Sequence, residues 1–392
     1  MEIKIAKWKD NVQSPVLFMI DDIANVLMKQ SHSSKLKIGE DWGYATREKN
    51  SMWHFLSKNL LDKFPKIKTT FFLVTDVRVS MRIDETYTYA KSIEQDKKFI
   101  EFLRYLDNHP MVELAYHGTT HGKAGLTYDD YLQEWEAFSS LNEAVTQIHR
   151  GRELFQEVLG HYPSGGKYCG YKAGDFGDES IAKTNFKWWS YGEDYLKWDK
   201  NDPNPSYTFD LSFNRGVVNI PTTVDSSTLS LRIINKWYKR KYLKSIYYYF
   251  IKNMSIEKHL ESLYENQEII SIYEHTSPYR TDGVIQYPNI VSDMDNLNYI
   301  FSILSKKDVW YVTGEDLANY YIDREKVKLE VEGHRFKLKS TTKLNGELTL
   351  IIDKSYSLYD MDNNLLVKSF EKNQKYILSY TFEVNKTYQL RM

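Results

Sequence analysis

The chain has 392 residues, 42% hydrophobic and 27% charged, with a formal net charge of −1, values ordinary for a globular protein that buries a full core. The near-neutral balance argues against nucleic acid as a partner. A single cysteine, Cys169, excludes an intrachain disulfide and a thiolate-rich structural zinc site. No stretch approaches the roughly 20 apolar residues that span a bilayer. The apolar run at 16–20 is too short for a signal-peptide core and ends in two aspartates, so the expected setting is cytoplasmic.

In chain order, residues 16–20 (VLFMI) read as a buried strand and 68–74 (KTTFFLV) as a second. Phe99, Phe102, Leu103 and Leu106 recur at helical spacing, and Asn108-His109-Pro110 ends that helix. Residues 111–116 form a third strand; 186–190, 217–220, 269–273 and 309–312 supply later ones. Thr313-Gly-Glu-Asp316 has the spacing of a capping box and opens a helix through Leu317 and Tyr321. Strands alternating with helices imply parallel βα units, and seven or eight of them imply a barrel rather than an open sheet. From about Lys326 the pattern changes to period two, with turns at Gly333, Asn345-Gly346 and Asp362-Asn363-Asn364. The expected division is therefore a barrel over 1–324 and a small all-β domain, of sandwich type, over 325–392.

Polar residues that interrupt the apolar runs fall at strand ends. Asp21 and Asp22 follow the first strand, His117 and His121 the third, and Glu274 and His275 a late one. In a βα barrel the active site forms at the C-terminal strand ends, so three segments deliver carboxylates and imidazoles to one face. One carboxylate with two imidazoles suits zinc or a similar divalent ion. The spacing His117-Gly-Thr-Thr-His121 brings both rings to one ion if the loop turns helically, because residues four apart share a face. A bound divalent cation lowers the pKa of its water toward about 7, and Asp21 as base and His275 as acid complete the set for hydrolysis.

The order Asp-Asp, then His-x-x-x-His, then a late strand ending in His resembles the polysaccharide deacetylases of carbohydrate esterase family four, over about residues 14–322. FMIDDI resembles the motif whose first Asp is the base and whose second binds metal, which implies Asp21 as base and Asp22 as ligand. AYHGTTHG resembles the motif that makes His117 and His121 ligands. SIYEHTSPY resembles the motif that carries the acid, here His275, and DVWYVTGEDLANYY resembles the usual end of the family barrel. The third motif departs from the family: where an Arg orients the base and a Pro follows, this chain reads GGKYCGYKAG, with Lys167 in the Arg position and no Pro. FKWWSYGEDY echoes the fourth motif loosely. The resemblance implies a distorted (β/α)7–8 barrel, a divalent metal such as Zn²⁺, and hydrolysis of an N-acetyl amino sugar in a surface polysaccharide or its precursor.

Lys167, Tyr168, Trp188 and Trp189 are weaker candidates for contact with a carbohydrate substrate; a Trp pair on a strand also reads as core. Aromatic residues reach 15% with 31 Tyr, which suits either a sugar cleft or a Tyr-rich core. Residues 236–252 (KWYKRKYLKSIYYYFIK) mix basic and aromatic residues. They read as a helix for a membrane surface or a lipid-linked sugar, or as an outer helix with a solvated basic face. The altered third motif keeps open a carbohydrate-binding protein that has lost catalysis, and a third reading is hydrolysis of a non-sugar amide on the same site.

Overall fold

A computed structural model describes residues 2–27, 47–49, 51–84, 89–192, 209–225, 256–276 and 286–392. The chain forms two units. One comprises Met1–Pro15, Asp308–Trp310 and Asp316–Met392, the other Val16–Lys307 with Tyr311–Glu315. No described helix is long and apolar enough to cross a membrane.

The smaller unit contains two antiparallel sheets. One runs in the order Ile3–Ile5, Leu348–Ile352, Lys375–Tyr380, Phe370–Lys372; the other Lys328–Glu332, Arg335–Lys339, Thr387–Arg391, Ser357–Tyr359, Leu365–Lys368. The period-two alternation puts Phe336, Leu338, Tyr388 and Leu390 on the inner face of one sheet and Leu348, Leu350 and Leu378 on that of the other. They meet in one apolar cluster. The N-terminal strand joins this unit because Ile3 pairs with Ile352 and Ile5 with Leu350, a placement that no local pattern in three residues announces.

The larger unit is built on a mainly parallel sheet. Its strands in chain order are β1 (Ser14–Ile23), β2 (Thr69–Leu73), β3 (Val112–Tyr116), β4 (Gly165–Lys167), β5 (Trp188–Ser190), β6 (Ser212–Asn214), β7 (Val217–Asn219), β8 (Val224–Asp225), β9 (Ile270–His275) and β10 (Val309–Val312). The order across the sheet is β6-β7-β5-β4-β3-β2-β1-β9-β8, with β10 beside β1. Only β6 to β7 is antiparallel in that path. β1, β2 and β9 are buried almost throughout their length, as parallel strands covered on both faces are. The helix Lys97–Asp107 turns Phe99, Phe102, Leu103 and Leu106 inward, and Asp96 caps it by accepting from the Lys98 and Phe99 N–H groups.

Among the described residues the sheet does not close into the expected barrel. One segment sits at both ends of its order: Val218 is in register with Trp188 on one side, and Val224 with Ile272 on the other. Between them lies Pro221, which has no N–H for a ladder. The ladder therefore breaks between β7 and β8, although Ile220 N still donates to Trp189 O and Thr223 N to Ser271 O. Strand β4, absent from the apolar pattern, reads Gly-Gly-Lys. A Cβ on Gly165 would collide with the Trp188 ring and one on Gly166 with the Trp189 ring, so the strand gives up its side chains to the indoles.

Near the start of β3, the Glu113 carboxylate accepts from Thr70 Oγ1 (3.0 Å), Ser164 Oγ (3.1 Å), Trp188 Nε1 (3.3 Å) and the Glu315 N–H (3.1 Å). Burial, reinforced by the neighbouring Glu315 charge, pushes its pKa up from 4.5 to about 7 against the pull of those donors. The native state thus retains a proton that the unfolded chain releases near 4.5. The resulting stability is complete below that pH and lost as pH rises to about 7. The urea midpoint of the wild type is expected to fall between pH 5 and 8 more steeply than that of Glu113→Gln. Parallel curves for the two proteins refute this assignment.

Candidate metal centre

The site begins with an irregularity in β1. Its pairing with β2 shifts register between Ile20 and Ile23, and Asp22 sits at φ 77°. In a regular strand Asp21 and Asp22 point to opposite faces; a bulge re-aims side chains, and Asp tolerates positive φ better than most residues. Here it sends both carboxylates into one buried region. Asp22 Oδ1 lies 3.0 Å from His121 Nε2 and 3.5 Å from His117 Nε2. Asp21 Oδ2 lies 2.6 Å from Lys167 Nζ and 3.9 Å from His275 Nε2. The parallel register of β1 and β9 places His275 directly opposite Asp21.

Hydrogen bonds fix both histidine tautomers. His117 Nδ1 faces the Lys167 carbonyl at 3.2 Å; a carbonyl only accepts, so Nδ1 carries the proton. His121 Nδ1 lies 3.0 Å from Tyr131 Oη, whose own proton goes to the His121 carbonyl at 3.1 Å, so this Nδ1 donates as well. Each ring therefore spends its Nδ1 proton on a protein oxygen and leaves Nε2 beside Asp22 Oδ1. Among the described residues that oxygen has no hydrogen-bond partner. Burial, followed by the Arg78 charge, pushes the His121 pKa down to about 4, which keeps the ring neutral near pH 7. Burial alone would raise the Asp22 pKa; the Arg78 charge leads the influences that outweigh it and hold the carboxyl well below its ordinary range. Arg78 lies 3.3 Å from Asp22 Oδ2, and Gln286 Nε2 donates to the same oxygen at 3.1 Å. Three acceptor atoms thus converge with no proton among them. A divalent cation fits this donor set, and outer partners of this kind orient metal ligands.

Cys169 is also near: ligand atoms of His117, His121 and Cys169 lie within 4.8 Å of one another. Its Sγ donates to the His117 carbonyl at 3.1 Å. Burial, with the Glu134 and Asp22 charges, pushes the thiol pKa up, whereas the Asp22 carboxylate already lies 3.0 and 3.5 Å from the two Nε2 atoms.

The histidines do not meet through a helical turn. Gly118 (φ 85°) and His121 (φ 72°) adopt left-handed backbone, and the loop is shaped from below by Glu134. The Glu134 carboxylate accepts from the N–H groups of Thr119 (2.8 Å), Thr120 (2.8 Å) and His121 (2.7 Å). A Cβ at Gly118 would lie 2.5 Å from Glu134 Oε2, so glycine is required there. Sequence reasoning missed Glu134, Tyr131, Arg78 and Gln286. The sequence offered little signal for Glu134, one of two glutamates in the stretch YLQEWEAF.

The aromatic candidates for the substrate cleft lie in the core. Tyr168, Trp188 and Trp189 are fully buried. Trp189 packs among Tyr116, Trp135, Tyr168 and Phe186, because the glycines of β4 leave space that only large rings fill. Lys167 is fully buried too, with Nζ 4.1 Å and 4.3 Å over the Tyr171 and Tyr273 rings; its charge serves Asp21. Residues 236–252 lie outside the described residues.

Neither a family model nor a curated protein matches the chain. Among solved structures the chain is similar to a protein named as a polysaccharide deacetylase from Mycobacterium smegmatis (16% identity, TM-score 0.45, covering 83% of this chain and 96% of that one). It is also similar to a family 4 acetyl xylan esterase from Clostridium thermocellum in complex with cobalt (12%, 0.35, 78% and 90%) and to the allantoinase PuuE (15%, 0.45, 80% and 92%). All three TM-scores fall below 0.5, so the functional reading rests on the side chains.

Proposed function

We propose that the chain is a metal-dependent hydrolase that removes an acetyl group from an N-acetyl amino sugar of a surface polysaccharide or its precursor. The observation that carries the hydrolase reading is the convergence of Asp22 Oδ1 and two Nε2 lone pairs beside an independent Asp21–Lys167–His275 group. The acetyl-sugar substrate is supported by the family resemblance of the motifs around these residues.

Asp22, His117 and His121 would hold the cation, which supplies Lewis acidity and a more acidic water. Lys167 fixes one Asp21 oxygen, while Oδ1 has no hydrogen-bond partner among the described residues. That oxygen is placed to take a proton as general base. His275 is anchored through Nδ1, which donates to the Pro288 carbonyl at 2.7 Å; its Nε2 faces the Asp21 side and can carry a proton to the leaving amine. Adjacent carboxylates thus take two roles because their surroundings differ.

Metal analysis of His117→Ala is expected to show loss of most bound cation from a protein that still folds; full occupancy in this variant overturns the ligand assignment. Asp21→Asn should keep its cation and lose about 10²–10⁴-fold in turnover of a small N-acetyl sugar; undiminished turnover places the base elsewhere. Removing one partner of a buried ion pair leaves an uncompensated charge, typically at about 3–5 kcal/mol. Lys167→Met should therefore destabilise strongly, and adding Asp21→Asn should recover much of the loss. Additive effects in this double-mutant cycle would mean the pair is not coupled.

A further inference from the structure

The ligand assignment leaves open what holds His121 in its left-handed conformation with Nε2 on target. Every polar group of that residue other than Nε2 is taken by two residues, three apart in sequence. Tyr131 binds the ring Nδ1–H and the carbonyl, and Glu134 binds the backbone N–H. Between them Leu132–Gln133 pairs antiparallel with Gly122–Lys123, the two residues that follow His121. The segment is therefore a brace laid along the histidine loop.

We infer that Glu134 is the positioning residue of the metal centre and that its carboxylate sets the cation affinity through the backbone of the histidine loop; this rests on the metal-ligand reading above. Three consecutive N–H groups pointing into one concavity form an anion-binding nest, and here the anion is built into the chain. Glu134 is only 2% exposed. Its two oxygens divide the work, Oε1 on Thr119 and Oε2 on Thr120 and His121. Gly118 then lets the loop sit directly on Oε2. A carboxylate fixed behind a ligand loop acts twice: it restricts the loop to the conformation that delivers Nε2, and it adds negative charge behind the cation. Both Glu134 oxygens are spent on backbone N–H groups, so it acts through the loop. Outer partners of metal ligands typically contribute 10–100-fold in affinity.

The test is Zn²⁺ titration of chelator-stripped full-length protein, with the thermal midpoint of each apo protein measured alongside. Glu134→Gln keeps the side-chain shape and an acceptor oxygen but loses the charge and a second acceptor. It is expected to bind Zn²⁺ about 10–100-fold more weakly while the apo protein remains folded, and Tyr131→Phe should weaken binding in the same direction. A folded Glu134→Gln with wild-type affinity, whatever its thermal midpoint, overturns the inference and assigns Glu134 to stability alone. Glu134→Ala extends the series if it folds; Glu134→Gln decides if it does not. Absence of Zn²⁺ binding by the wild type overturns the metal centre and this inference together, whereas wild-type binding with no change in the variants overturns only the inference.

Discussion

Three acceptors face one another in a buried region with no proton among them. The His117 and His121 Nδ1 atoms each spend their hydrogen on a protein oxygen, and Asp22 Oδ1 lies 3.0 and 3.5 Å from the Nε2 atoms that remain. Unshared electron pairs at such distances repel, and burial strengthens the repulsion because little solvent screens it. A positive charge among them would relieve that repulsion, which is what the proposed cation supplies. Arg78 offsets part of it through the other oxygen of Asp22, but the face turned to the histidines stays negative. Backbone strain tells the same story. Asp22 and His121 both occupy the left-handed region, at about 1–3 kcal/mol each, and such strain persists where surrounding structure over-determines it.

Lys167 ties the two halves of the site together. Its carbonyl accepts from His117, and its ammonium pairs with Asp21. One residue thus contacts a proposed ligand through its backbone and the proposed base through its side chain. Its position depends on Gly165 and Gly166, which let β4 lie flat against Trp188 and Trp189. The buried indoles form the wall against which the two glycines pack.

Much of this was legible because strand ends in a parallel sheet deliver side chains to one rim. The apolar runs around 16–20, 68–74 and 111–116 located β1, β2 and β3, and the polar residues that end them located Asp21, Asp22, His117 and His121. What failed were features that exist only in three dimensions. A bulge moves Asp22 without changing any residue type. The histidine loop was expected to turn as a helix, yet Gly118 and the Glu134 carboxylate hold it in a nest; no periodicity marks a contact between backbone N–H groups and a side chain 13 to 15 positions away. Closure was expected from the number of βα units and stops at Pro221, where one missing N–H breaks the ladder. Of the two readings the aromatic richness left open, cleft or core, Tyr168, Trp188 and Trp189 take the core.

Lys167 also bears on whether the altered third motif removes the chemistry. An Arg fork engages both oxygens of a carboxylate, whereas a Lys ammonium acts as a point charge. Here Nζ lies against Asp21 Oδ2, with the Tyr171 and Tyr273 rings beside it. The other oxygen has no hydrogen-bond partner among the described residues. The substitution therefore keeps a cation beside the proposed base and leaves its second oxygen open for a proton. Asp22, one residue on, is held by different groups altogether: Arg78 and Gln286 on one oxygen, two imidazoles facing the other. A single bulge has given two neighbouring carboxylates different surroundings, which is what the proposed ligand and base roles require. Nothing in that separation depends on the missing Arg, and for that reason the departure from the family motif weighs little against a hydrolytic site.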